Sequence, residues 1–509
     1  MVGVARSRRC ERCKRMKTKC DEKWPTCSPC LRAGASCSGP PNLTKFIHNG
    51  HHHHTITSSS QSHVERETES RTLLTSQPPR NLEIIRNQDL PGGASFGHFR
   101  LATNEPRRTL TTVSERVAAR LVGYLGTEAA SWDYLACVGY TPHLPVRLSE
   151  SAALRDCVAL MCSTWLNQRR GLAPERVVDR TLYCKALRSL RRALGDRGLQ
   201  LRCETLAAAT ILERLELLFD TGTPYNRTPH VSGIETMMLR KGPPKLGDDL
   251  DVHLMLENHA ALVSRWVVRG GDNFYLSAPW AEVIKQTSSL PEQTASEEKR
   301  DCYKIGYYYG FWPSLVHEHR RISSEADVIS REAQALGFRH RVADLYEKAQ
   351  RLGKEIIEAK GRAGRVMERP DPEGPVGSKF HFESLDAMSF VISYLMICTI
   401  MNRILYHTLS LLCELDTHLQ VEHKDFCRQL WMCIPFIKKL GNMTGPMLLP
   451  QLQLSYEAAN AVEREYILDT IIDFSNKNRR YTGDRQAMEA LVLNSAKAMT
   501  GRSAVALAV

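Results

Sequence analysis

The chain of 509 residues lacks two short signatures of common enzyme classes. It has no Gly-x4-Gly-Lys loop to cradle phosphates and no His-Glu-x-x-His pair for a hydrolytic zinc. His317-Glu318-His319 and His418 with Glu422-His423 have the wrong spacing for that last chemistry and are expected on helix surfaces. These absences point away from catalysis. Met1 to Arg12 carries basic residues but no apolar core segment, so no secretory signal is expected there, and with it no disulfide framework. No uncharged apolar run reaches the roughly 18–20 residues a membrane span needs. The nearest, Ala387 to Asn402, is followed at once by Arg403 and His407 and reads as a buried helix, apolar on every side. Alternating apolar and polar runs joined by hairpin turns are missing too, which argues against a β-rich fold.

What the chain does have is positive charge in one place. The formal net charge is +12. Met1 to Cys37 holds ten Lys or Arg against Glu11, Asp21 and Glu22, a net of +7 (10 − 3), leaving +5 (12 − 7) for everything downstream. So concentrated a basic patch is the electrostatic footprint of a nucleic-acid contact. The remaining composition, 42% hydrophobic, describes a soluble globular chain with a real core.

The basic patch coincides with the only regularly spaced cysteines among sixteen. They read Cys10-x2-Cys13-x6-Cys20-x6-Cys27-x2-Cys30-x6-Cys37, a half-unit repeated after seventeen residues. Structural zinc takes four ligands in a tetrahedron, with sulfur at about 2.3 Å. Two such ions need eight ligand positions, which six thiolates fill only if two sulfurs bridge both metals, and symmetry makes the bridging pair equivalent in the two halves. One zinc on four cysteines, or paired disulfides, would leave the unbroken repeat of spacing unexplained. Surrounding Lys and Arg help keep the thiols deprotonated, and metal binding supplies much of the folding free energy of so short a segment.

The segment CERCKRMKTKCDEKWPTCSPCLRAGASC resembles the fungal six-cysteine binuclear zinc cluster transcription regulators throughout its spacing. The likeness includes the basic run before the third cysteine, Asp21 after it and Pro25 two positions before the fourth. It implies a nuclear protein with two Zn ions on Cys10, Cys13, Cys20, Cys27, Cys30 and Cys37, with Cys10 and Cys27 bridging and Pro25 shaping the loop between half-units. It also implies double-stranded DNA as partner, commonly a CGG-type triplet read by the basic residue at the position of Lys17. Arg8, Arg9, Lys14, Arg15 and Lys19 are then expected to grip phosphates, which position the module without specifying sequence. Met16 and Thr18 depart from the family pattern, standing where it often has a cation and an aliphatic residue. The spacer Lys14 to Lys19 has four cations whereas Leu31 to Ser36 has one, so the first half is expected to face the DNA. A zinc-stabilised protein-interaction module without a DNA target is the rival reading, and it gives that asymmetry no purpose.

Residues 38–110 read as a low-complexity linker, with Pro40-Pro41, the run His51 to His54, Pro78-Pro79 and Gly92-Gly93. From about Thr111 the apolar spacing becomes helical. Thr112 and Glu115 fit a capping box ahead of a face at Val113, Val117, Leu121 and Leu125. Similar faces follow at Leu154 to Trp165 and Leu206 to Phe219, with further helices at Asp386 to Glu414 and Phe426 to Leu440, where Pro435 should kink the helix or start a new one. The expected architecture is mostly all-α: a zinc module over residues 1–37, a linker over 38–110 and a large helical domain over 111–509. Val113 to about Leu440 is similar to the family's regulatory domain, notably His230 to Pro243 and Phe274 to Trp280, which implies a metabolite or co-regulator as its ligand; a scaffold without one stays open. So does the choice between a monomer and a homodimer formed through this domain. The remaining ten cysteines lie mostly in apolar helical surroundings and read as small hydrophobes.

Overall fold

The computed structural model describes residues 10–21, 27–37, 112–219, 229–271, 273–292, 294–440, 444–477 and 484–502. Arg8, Arg9, Pro25, the histidine run and the linker expected over residues 38–110 lie outside them. The chain divides into two units, Met1–Thr103 and Asn104–Val509.

In the first unit two short helices, α1 (Glu11–Arg15) and α2 (Ser28–Arg32), each start on a cysteine with extended backbone, Cys10 and Cys27 respectively. Helices of one turn and a half are not stable alone. What holds these two is their own sulfur core, in which Cys10, Cys13, Cys27 and Cys30 are buried and Cys20 and Cys37 pack against them.

The second unit is helical around a main core that runs from Val117 to Met499, with a small satellite cluster of Val252, Leu290 and Ala295. The capping box forms as expected: Thr112 Oγ1 accepts from the Glu115 amide at 3.1 Å, and Glu115 Oε2 from the Thr112 amide at 2.9 Å. The helix Val113–Leu125 then buries Val117 and Leu121, while Val113 in its first turn stays exposed. Ala152–Arg169 buries Leu154, Val158, Met161 and Trp165. Cys203–Phe219 is buried on nearly every side rather than along one face, because Ala152–Arg169, Arg180–Gly195, Pro229–Lys241 and Asp249–Arg269 all pack around it. Its polar residues are therefore paired internally: Arg214 meets Glu213 and donates through Nη2 to Glu257 O at 2.6 Å.

The second hub is Leu385–Leu411, 27 residues long and apolar enough over an 18-residue window to cross a membrane, yet 89% of that window is buried inside the protein. It exceeds the expected apolar stretch at both ends, starting where Ser384 Oγ accepts from the Ala387 amide at 3.1 Å. Glu297–Tyr309, Trp312–Ser323, Val328–Arg362 and Thr417–Ile437 surround it. Enclosure on all sides explains its uniform apolarity without a lipid phase.

Three features differ from the expectations. A hairpin, β1 (Val366–Asp371) paired antiparallel with β2 (Gly377–Phe382), interrupts the helices. Its two short strands, one containing Pro370, gave too little alternation to stand out, and it is held by packing: the Phe382 ring meets Phe436 of Thr417–Ile437 edge-on at 5.2 Å. Pro435 does not begin a new helix, one of its two expected effects: it lies inside that helix, which continues to Ile437. Finally, His319 and His423 are not surface residues but are buried, at 3% and 6% exposure. The reason is helical spacing: His319 shares its face with Leu315, Val316 and Ile322, and His423 with Leu419, Phe426 and Cys427, all buried.

Val328–Arg362 approaches the hub helix Leu385–Leu411 closely at Gly353. A Cβ there would lie 2.0 Å from the Tyr394 ring, which is itself buried and cannot retreat. Gly353→Ala, though it improves helix propensity by up to about 1 kcal/mol, is expected to destabilise the large unit by a net of about 1–3 kcal/mol. Denaturant unfolding of the full chain, followed by far-UV circular dichroism, checks this.

Candidate metal centre and nucleic-acid interface

The seventeen-residue repeat of the sequence is also a repeat of the backbone. Lys14 N bonds Cys10 O at 3.0 Å, and Leu31 N bonds Cys27 O at 3.0 Å. Lys17 N bonds Lys14 O at 3.2 Å as Gly34 N bonds Leu31 O at 3.1 Å; Thr18 N bonds Cys13 O at 3.0 Å as Ala35 N bonds Cys30 O at 3.1 Å. Each half is thus a short helix followed by a tight turn that returns the chain to its third cysteine.

The two halves face each other through sulfur. Cys10 Sγ lies 3.8 Å from Cys27 Sγ and 3.7 Å from Cys30 Sγ; Cys13 and Cys27 are 3.7 Å apart, and Cys37 and Cys27 3.8 Å. These separations are far too long for disulfides, and none of the sixteen cysteines forms one. They match the edge of a tetrahedron with a metal–sulfur distance of about 2.3 Å, which is about 3.8 Å. Two groups of four sulfurs each fall within 4.8 Å: Cys10, Cys13, Cys20 and Cys27, and Cys10, Cys27, Cys30 and Cys37. Cys10 and Cys27 belong to both, so six sulfurs supply the eight positions that two tetrahedral ions require.

Such crowding disfavours bare thiolates at Cys10 and Cys27. The Cys13 amide, 3.4 Å from Cys10 Sγ, favours the Cys10 thiolate, but burial and the thiols of Cys13 and Cys30 outweigh it and push Cys10 up to about 12. Burial also pushes Cys27 up. A divalent cation at the centre of each group reverses that balance, because its charge favours deprotonated sulfur. The donor set therefore fits zinc.

Two residues that spacing alone did not single out tie the halves together. Arg12 of α1 reaches across to Cys30 Sγ with Nη1 at 3.9 Å. Asp21, at the end of the first half, accepts from the Ser28 amide at 3.0 Å and from its hydroxyl, and so caps α2. The sequence signal for the first was a cation within α1; for the second, an Asp seven residues before a helix-opening Ser-Pro.

The basic spacer turns outward. Arg15, Lys17 and Lys19 are exposed and Lys14 is half-buried. Lys17 has φ +52°, one of two described non-glycine residues in the left-handed region, and its repeat partner Gly34 has φ +56°. The turn therefore requires a left-handed residue in both halves. In the second half glycine meets the requirement at no steric cost; in the first a lysine does, at about 1 kcal/mol.

Residues 8–45 match the fungal Zn(2)-Cys(6) binuclear cluster domain, which binds two zinc ions and is a DNA-binding domain of transcription regulators. No curated protein and no solved structure matches the chain.

Shared and unshared sulfurs predict different zinc losses. Cys27→Ser removes a member of both groups and should take bound zinc from two ions per chain towards none, whereas Cys37→Ser should leave one. Metal analysis of the purified, dialysed full-length variants gives the count.

Proposed function

From the two-zinc domain carried by residues 8–45 we propose that this protein is a nuclear, sequence-specific transcription regulator of genes read by RNA polymerase II, not an enzyme. The six cysteines are its metal ligands, with Cys10 and Cys27 bridging, and residues 1–37 are its DNA-binding module. Residues 38–110 link this to the regulatory domain, residues 111–509. Control of a metabolic or secondary-metabolite pathway is the corresponding role.

Lys17 carries the reading. It occupies a backbone conformation that its counterpart fills with glycine, and natural chains retain such local strain chiefly where function needs the side chain. The ammonium stands on an exposed turn, suited to the O6 and N7 acceptors of guanine in the major groove, as in a CGG-type triplet. Arg15 and Lys19, exposed on either side, and Lys14, with Arg8 and Arg9 ahead of them, serve the phosphates. The second half presents Leu31, 70% exposed, and Gly34 at the equivalent surface and so offers far less to DNA.

Affinity should fall steeply with salt, with a slope close to 0.9 per phosphate contact, and Lys19→Gln should reduce that slope by about one contact without changing sequence preference. Lys17→Gly separates reading from folding. It should abolish preference among duplexes while keeping two zinc ions and leaving the module as stable as before, or up to about 1 kcal/mol more so. Site selection from random duplexes, alongside zinc retention under chelator challenge, tests both. Retained preference in Lys17→Gly would sink the assignment.

A further inference from the structure

Among the described residues of the large unit eleven buried side-chain polar atoms lack a hydrogen-bond partner, and two of them, Nε2 of His319 and of His423, lie in the region of a buried arginine that no carboxylate neutralises. Arg403, 7% exposed on the hub helix Leu385–Leu411, donates through Nε and Nη2 to Asn402 Oδ1 at 3.1 and 2.8 Å and through Nη2 to Leu419 O at 3.3 Å. None of these acceptors is a carboxylate, and among the described residues no carboxylate pairs with it. Burial lowers its guanidinium to about 10. A buried cation without a counter-charge is costly, and natural interiors hold such groups paired or bound to something of opposite charge.

Two imidazoles, His407 and His423, are near enough for the charge of this guanidinium to act on them, and a third, His319, stands beside His407. His407 stands one helical turn beyond Arg403, and its ring centre is 6.4 Å from that of His319. His423 stands one turn beyond Leu419, whose carbonyl Arg403 already touches. His319 and His423 are more than nine-tenths buried, and Nε2 of each lacks a hydrogen-bond partner. Burial, with the charges of Arg403 and Arg502, holds His407 and His423 down at about 3.

The other charged groups facing this cluster are already engaged. Arg502, beside Gly501 whose carbonyl meets His319 Nδ1 at 3.3 Å, pairs with Glu457. On Thr417–Ile437, Lys424 pairs with Glu463, and Glu422 accepts from Tyr346 and Gln350 of Val328–Arg362. On Trp312–Ser323, Arg320 donates to Ala498 O at 2.7 Å. The surplus is therefore cationic and donor-rich. It is not a cation site, because among the described residues only the cysteine groups bring metal-ligating atoms together.

We propose that Arg403, His319 and His423 form a receptor for a small oxyanion, a carboxylate or phosphate group of a metabolite, with half-buried His407 and Arg502 on its solvent side. An anion supplies the counter-charge Arg403 lacks and gives both free Nε2 atoms a partner. Because His319 donates through Nδ1 to Gly501 O, its Nε2 is bare in the neutral ring and must gain a proton to donate. Binding therefore takes up a proton, and affinity falls as pH rises. The site does not depend on the DNA-binding reading; it identifies the chemistry to which the large unit would respond.

The test is calorimetric unfolding of the full-length, zinc-loaded protein with inorganic phosphate or succinate, against chloride at equal ionic strength. At least one anion should raise Tm beyond the chloride control, and the succinate effect should be larger near pH 6 than near pH 8. A response to phosphate alone, or to succinate alone, supports the site and identifies its ligand class. Arg403→Met should lose at least about tenfold in apparent affinity without lowering the anion-free Tm, since it removes an uncompensated buried charge; a merely structural arginine would lower it. Should Arg403→Met fail to fold, His423→Gln decides the matter, with a similar loss of response expected. No rise above chloride with either anion, or an undiminished response in the variants, overturns the proposal.

Discussion

The first unit depends on two sulfurs serving twice. With Sγ–Sγ separations of 3.7–3.8 Å, Cys10 and Cys27 sit on the shared edge of two four-sulfur groups, and that edge is what a duplicated half-unit needs in order to become one body. Neither half has an apolar core of its own, and helices of five residues do not persist unaided. The two zinc ions of the domain therefore supply the folding free energy that hydrophobic burial cannot. The position of the cations on the first turn follows from that, because the turn closes back onto the carbonyl of Cys13, a member of the sulfur core.

This dependence explains why the cluster was legible in the sequence. Tetrahedral coordination is demanding, and a spacing repeated after seventeen residues leaves few ways to satisfy it, so the ligand arithmetic could be done without coordinates. Backbone handedness is different. Nothing in KRMKTK states that Lys17 lies at positive φ; only alignment with Gly34 in the second half hints at it, since glycine there is the residue such a turn prefers. The bonds of Arg12 and Asp21 across the halves were hidden for another reason: they depend on which side chains the metal-held turns bring face to face, not on separation along the chain.

In the large unit, periodicity revealed the helices and little of their polar interior. A helix buried on all sides has no polar face to mark its register, so Cys203–Phe219 and Leu385–Leu411 were identifiable as helices while the inward placement of Glu213, Arg214 and Arg403 was not. The burial of His319 and His423 follows not from their spacing to other possible ligands but from the apolar residues three and four positions away. Those neighbours, present in the sequence throughout, set their burial. The hairpin's strands of six residues each, one with a proline, carry too weak an alternation to outweigh a helical background.

The chain thus uses positive charge in two opposite settings, and physics assigns them different partners. Exposed Arg15, Lys17 and Lys19 remain hydrated; each gains little from one contact but much from a polyanion whose condensed counterions are released together, and such binding weakens as salt rises. Arg403 has already lost its water on folding, so it gains most from a single, well-placed anion in a poorly polarisable surrounding, where screening by salt is slight. The same net charge read only from composition would have assigned both to one role. Burial separates them: hydrated cations suit a long, repeating phosphate backbone, and desolvated ones suit a compact ligand that can enter and replace the lost water.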